Sequence, residues 1–131
     1  MELYDFTKLF QDGAVDQLAE LRDAGKLPDL MHLTDPHSGW YPHETAIKFG
    51  QLDTLKWLVN ESGQVVDLFR RGSRAVVCAA AFDRVDCLTY LLYESGQKPV
   101  VDPTASNWFE SVVYPEAVRE LIRGAVNATA N

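Results

Sequence analysis

His32, His37 and His43 crowd into one short stretch beside Asp29 and Asp35, the residue types that bind metals. Their intervals match no compact zinc-ligand pair, and no cysteine joins them, so they read as loop histidines. The two cysteines, Cys78 and Cys87, occupy apolar helical positions and read as packed thiols rather than nucleophiles. Asp53 and Asp86 invite a general acid–base reading, but they stand at one repeated position, which points to a structural cause. The chain also has no glycine-rich phosphate cradle and no G-x-S-x-G elbow. The expectation is therefore a protein that is not an enzyme, with no catalytic residues, no metal and no cofactor.

The text that positions these residues is repetitive. CAAAFDRVDCLTYLLYESGQ over 78–97 restates TAIKFGQLDTLKWLVNESGQ 33 residues earlier. A shorter pattern recurs three times, as Val15-Asp16-x-Leu18-x-x-Leu21, Leu52-Asp53-x-Leu55-x-x-Leu58 and Val85-Asp86-x-Leu88-x-x-Leu91. A period in the low thirties marks a helix-pair unit that buries its apolar face by stacking on neighbours. Leucines three apart share one helical face and form the seam. Each Asp opens a second helix, where a carboxylate can cap free N–H groups and favour the positive end of the macrodipole. Gly25, Gly63 and Gly96 end those helices. A degraded fourth copy follows, with Val118 and Leu121 in the leucine positions, Pro115 opening the helix, Trp108, Phe109 and Val112 before it, and the polar tail NATAN after it.

At 131 residues and 47% apolar content, the chain fits one domain with units at about 4–25, 41–63, 74–96 and 104–124. A net charge of −7 argues against nucleic acid or an anionic membrane as partner and leaves a basic protein surface as the natural complement. Residues 1–69 carry twelve Asp and Glu against five Lys and Arg, whereas 70–131 carry seven of each. No apolar run approaches the ~20 residues of a membrane span, and the start lacks a basic signal, so a soluble, cytoplasmic protein is expected.

On these residues the chain resembles the ankyrin-repeat family. Pro42, Ala46, Gly50, Leu55 and Leu58 take consensus positions in the second unit, and Ala79-Ala80, Leu88, Leu91 and Leu92 do so in the third. Tyr41, His43 and Glu44, and later Arg74-Ala75-Val76-Val77 and Asp83, depart from the consensus. The resemblance implies an all-α helical solenoid of stacked helix pairs with protruding connectors. It also implies a binding surface lined by first helices and connectors, with no catalytic residues.

Function is then expected where the copies differ, in 29–44, 65–77 and 102–109. The candidate partner-binding residues are Asp29, Asp35, Trp40, Tyr41, His43, Phe69, Arg70, Arg71, Arg74 and Asn107. Trp40 and Tyr41 are open to two readings, as binding anchors or as a core patch. Trp57, Tyr90 and Trp108 read as packing. The expected activity is capture and occlusion of another protein by a chain that is monomeric by itself, of inhibitor, immunity or effector type. The alternative is an acidic mimic of nucleic acid that blocks a basic nuclease or DNA-binding protein.

Overall fold

A computed structural model describes residues 3–35, 39–70, 74–97, 110 and 113–130. Every helix and turn there is built without a strand. The elements are α1 (Leu3–Asp12), α2 (Val15–Asp23), α3 (Pro42–Lys48), α4 (Leu52–Asn60), α5 (Arg74–Ala81), α6 (Val85–Thr89) continuing into one π turn (Tyr90–Glu94), and α7 (Glu116–Ala130). They gather into two compact units, Met1–Asp67 and Leu68–Asn131. In the first, α1 packs on α2 and α3, and α4 packs on α2 and α3; in the second, α6 packs on α5 and α7. Arg71, Asn107, Trp108, Phe109 and Val112 lie outside the described residues, and with them the first helix expected of the fourth copy.

The repeated text builds one repeated turn. Each first helix ends in a left-handed residue, Gly13 (φ 69°), Gly50 (φ 69°) or Asp83 (φ 55°), followed by Ala14, Gln51 or Arg84, which starts the second helix. The N–H of that next residue donates five residues back in all three copies: Ala14 to Leu9 O at 3.0 Å, Gln51 to Ala46 O at 2.8 Å, and Arg84 to Ala79 O at 2.8 Å. Such a bond satisfies a carbonyl that the ending helix leaves without a partner. Asp83 holds this conformation without being glycine, a geometry that costs most L-residues about 1–2 kcal/mol and that Asp bears better than most.

The aspartates of the pattern act differently from the expected cap. The cap positions belong to Ala14, Gln51 and Arg84, none of which makes a side-chain cap bond, while Asp16, Asp53 and Asp86 are each the second helical residue. In the first turn their charge still complements the positive end of the helix.

The identical Glu-Ser-Gly-Gln endings explain more than a helix stop. Ser62 and Ser95 donate from Oγ to the carbonyls of Leu58 (2.6 Å) and Leu91 (3.1 Å), and each accepts the N–H of the glutamine two residues on, at 3.2 Å. That glutamine reaches back to the connector before its own helix pair. Gln64 Oε1 accepts the Leu30 N–H at 2.8 Å and its Nε2 donates to Pro28 O at 2.8 Å. In the second unit, Gln97 Oε1 accepts the Leu68 N–H at 2.9 Å. Leu30 and Leu68 are both buried, so each glutamine fastens a connector at the point where it plugs into the core.

Leu18, Leu55, Leu58, Leu88 and Leu91 are fully buried, as the seam requires, and Leu21 is half-buried. Removing one such leucine costs about 2–5 kcal/mol when the cavity cannot collapse. In α7 the buried face is Val118, Ile122, Ala125 and Val126, one residue on from the expected Leu121, and the helix runs through the small polar tail to Ala130. Tyr93 on the π turn donates to Leu121 O at 2.6 Å, and Gly124 leaves room for it, since a Cβ there would lie 2.6 Å from the phenol oxygen. Arg123 forks onto both carboxylate oxygens of Glu110 at 2.9 and 2.8 Å.

Candidate partner-binding surface

Over its described residues 25–35 the connector folds back on the first unit. Leu30, Met31 and Leu33 are buried, and Asp29 organises the exposed bend between them. Its Oδ1 accepts the Met31 N–H at 3.1 Å and its Oδ2 lies 2.7 Å from His32 Nδ1. Farther on, Asp35 N–H donates to Trp40 O at 2.9 Å, and Gly39 N–H donates to Asp35 O at 2.8 Å. These bonds close the neck of the connector and deliver Trp40, half-exposed, to the start of α3.

α3 then begins in the manner of its sequence. Tyr41 is the cap residue in extended conformation, Pro42 takes the first helical position where a missing N–H does no harm, and Glu44 reaches back to accept the Tyr41 N–H at 2.8 Å. Tyr41 (8% exposed) and His43 (2%) stack with ring centroids 5.8 Å apart and planes 9° from parallel. Their side chains therefore belong to the core of this helix start. Of the two readings open for Trp40 and Tyr41, the core patch describes Tyr41, whereas Trp40 stays half-exposed.

At the far end of α3, Lys48 Nζ sits 4.8 Å from the Trp40 ring centroid and 5.3 Å from that of Phe49. Phe49 immediately precedes the left-handed Gly50 and is 38% exposed. In the second unit Phe82, 33 positions on, stands in the same place before Asp83 and is 41% exposed. Val77 on α5 is exposed too. Neither phenylalanine was among the expected binding residues. The signal was available, because a large apolar residue recurs at one position just before the left-handed turn residue.

Of the remaining candidates, Phe69 is buried, while Arg70 is exposed and Arg74, the first residue of α5, is half-exposed. In the first unit the fold thus brings Asp35, Trp40, Tyr41 and His43 to one helix start, with Asp29 on the outer bend. Phe69, Arg70 and Arg74 belong to the second unit.

Cys78 and Cys87 are buried free thiols on α5 and α6, and burial pushes the Cys87 thiol up to about 11, with Arg84 opposing and Asp86 adding to the rise. A thiol so raised holds its proton at neutral pH and is a poor nucleophile. Among the described residues, no three His, Cys, Asp or Glu side chains gather as a metal site, and no helix is long and apolar enough to cross a membrane. His37 lies outside the described residues. A shallow groove of about 480 Å³ runs between α2 and α4, lined by Val15, Gln51, Asp53, Thr54, Trp57 and Glu61.

Compared with known proteins, the chain is 35% identical over 60 residues to an ankyrin repeat domain-containing protein 45 of Danio rerio. The match covers 46% of this chain, which spans 27% of that relative's length. No protein-family model and no solved structure matches. The similarity suggests ankyrin-like repeats and agrees with the all-helical pairs described above.

Proposed function

We propose that the chain is a non-enzymatic protein-binding module whose helix pairs are units of an ankyrin-like helical solenoid, and that it acts by occluding the partner it captures. The observation that carries this reading is the repeated exposure of Phe49 and Phe82 at the ends of first helices, 38% and 41% exposed. Large aromatics are the residues most often found at the energetic centre of protein interfaces. Two aromatic side chains partly open to water at equivalent positions of the repeat offer a partner apolar surface.

Charged groups supply the rim. Lys48 lies against Phe49 in the first unit, Asp29 stands on the outer bend of the connector, and Arg70 and Arg74 belong to the second. The strongly acidic first half favours a partner with a basic surface and speeds its approach. The buried Cys87 thiol is consistent with binding without chemistry.

The test is capture of partners from a lysate on the immobilised full chain, with F49A/F82A as the control. Both side chains are partly solvent-exposed, so the variant should keep its helical circular dichroism. A protein recovered with the wild type and lost with the variant supports the reading. Identical recovery by both removes these two residues from the interface and with them the basis of the proposal. Recovery that collapses between low and moderate salt for both proteins equally would instead favour the charge-driven mimic.

A further inference from the structure

The resident ammonium at Trp40 and Phe49 carries information beyond a protein partner. Trp40 precedes α3 and Phe49 follows it, so the two ends of one short helix each contribute a ring. Lys48 Nζ lies over both, at 4.8 and 5.3 Å from the centroids, inside the ~6 Å within which a ring face attracts a cation. Trp40 is half-exposed and Phe49 38% exposed, so the place is open to solvent. Asp35, bonded to Trp40 through the backbone, adds a carboxylate at the neck of the same connector.

We propose that Trp40 and Phe49 form a two-walled aromatic clamp for an alkylated ammonium group, with the chain's own Lys48 as the stand-in that shows what the clamp accepts. A primary ammonium is a compact, strongly hydrated charge and loses hydration on meeting two ring faces. A trimethylammonium group carries the same charge over a larger, weakly hydrated surface and donates no hydrogen bonds that need replacing. Aromatic faces therefore discriminate in its favour, and such groups are what aromatic cages recognise. The excess of acidic residues in 1–69 draws cations to this half of the chain. Lys48 then tunes the site by occupying it, so that an incoming ligand has to displace a tethered competitor.

The clamp shares Trp40 and Phe49 with the proposed partner surface but is tested apart from it, since it predicts binding of a small cation by the isolated chain. Two sources share the ligand chemistry: a methylated lysine in a protein tail and a free choline-like molecule. The experiment is calorimetric titration of the full chain with tetramethylammonium chloride at constant ionic strength, against potassium chloride as blank. A short peptide bearing trimethyl-lysine and its unmethylated twin are titrated alongside.

The wild type should bind tetramethylammonium weakly, and K48A should bind it about tenfold more tightly, the size of one cation–π contact released to the ligand. K48Q should follow K48A, which separates loss of the competitor from loss of side-chain bulk. W40A in the K48A background should abolish the gain. A methylated peptide that outbinds tetramethylammonium, with no binding of its unmethylated twin, assigns the ligand to protein tails. Equal affinities assign it to small cations. Failure of K48A to bind either probe, with its helical content unchanged, would overturn the proposal.

Discussion

Gln64→Ala removes two hydrogen bonds that fasten the 25–41 connector to the end of the second helix pair, from Oε1 to the Leu30 N–H and from Nε2 to Pro28 O, each at 2.8 Å. Each bond contributes about 1 kcal/mol net, and the Leu30 N–H, next to a side chain that is itself buried, loses its acceptor besides. Partial access of water to the amide limits the total, so the expected loss is about 2 kcal/mol. That corresponds to about thirtyfold faster hydrogen exchange if the amide exchanges by local opening. The assay is native-state exchange of the Leu30 amide together with urea unfolding. Gln64→Glu refines it: the ionised carboxylate keeps an acceptor for Leu30 but turns a second acceptor toward Pro28 O, so stability should drop at pH 7 and partly return below about pH 4. Leu30 exchange within about twofold of wild type in Q64A would refute the reading of Glu-Ser-Gly-Gln as a connector clasp.

Asp83→Gly should stabilise the second unit by about 0.5–1 kcal/mol in urea unfolding and Asp83→Val should cost about 1–2 kcal/mol, because only the left-handed backbone differs in cost between them. Gly124→Ala should gain almost nothing, since the helix-propensity gain of about 1 kcal/mol is offset by displacing Tyr93 from Leu121 O; in a Y93F background the full gain should appear. The folded Cys87 thiol titrates at about 11 against 9.0 for an unburied one, so its contribution of about 2–3 kcal/mol is complete below pH 9 and is lost as pH rises from 9 to 11. Alkaline unfolding followed by circular dichroism should therefore shift to higher pH in C87A, if the packing loss is matched at pH 7. Arg123 holds the Glu110 carboxyl below the usual carboxylate range, so the pair contributes stability above that range and loses it as pH falls through the lowered value. Acid unfolding of E110Q should begin from a lower baseline and show a shallower pH dependence.

The helix pairs were legible because the leucine seam, the turn residue and the stop glycine recur at fixed intervals, and each of those positions has one physical reason to recur. Asp83 could be aligned with Gly50 by the repeat, and its positive φ confirms that one backbone shape serves both residue types. The roles of polar side chains were harder to read. Asp16, Asp53 and Asp86 sit one residue inside the helix, because the preceding turn gives the cap position to a residue held by its own backbone bond. Gln64 and Gln97 work across gaps of 34 and 29 residues, an interval that no local pattern encodes. Tyr41 and His43 looked like anchors because they depart from the repeat. They depart because they build their own helix start, with Glu44 turned inward. Phe49 and Phe82 were overlooked for the opposite reason: a matched apolar pair reads as core until burial separates it from the seam.

Hydrogen exchange of the full chain with and without its captured partner tests the central claim most directly. Protection confined to residues 39–50 and 74–84, around Trp40, Phe49 and Phe82, is the predicted result. Protection centred instead on α2 and α4, around Val15, Asp53 and Trp57, would contradict it.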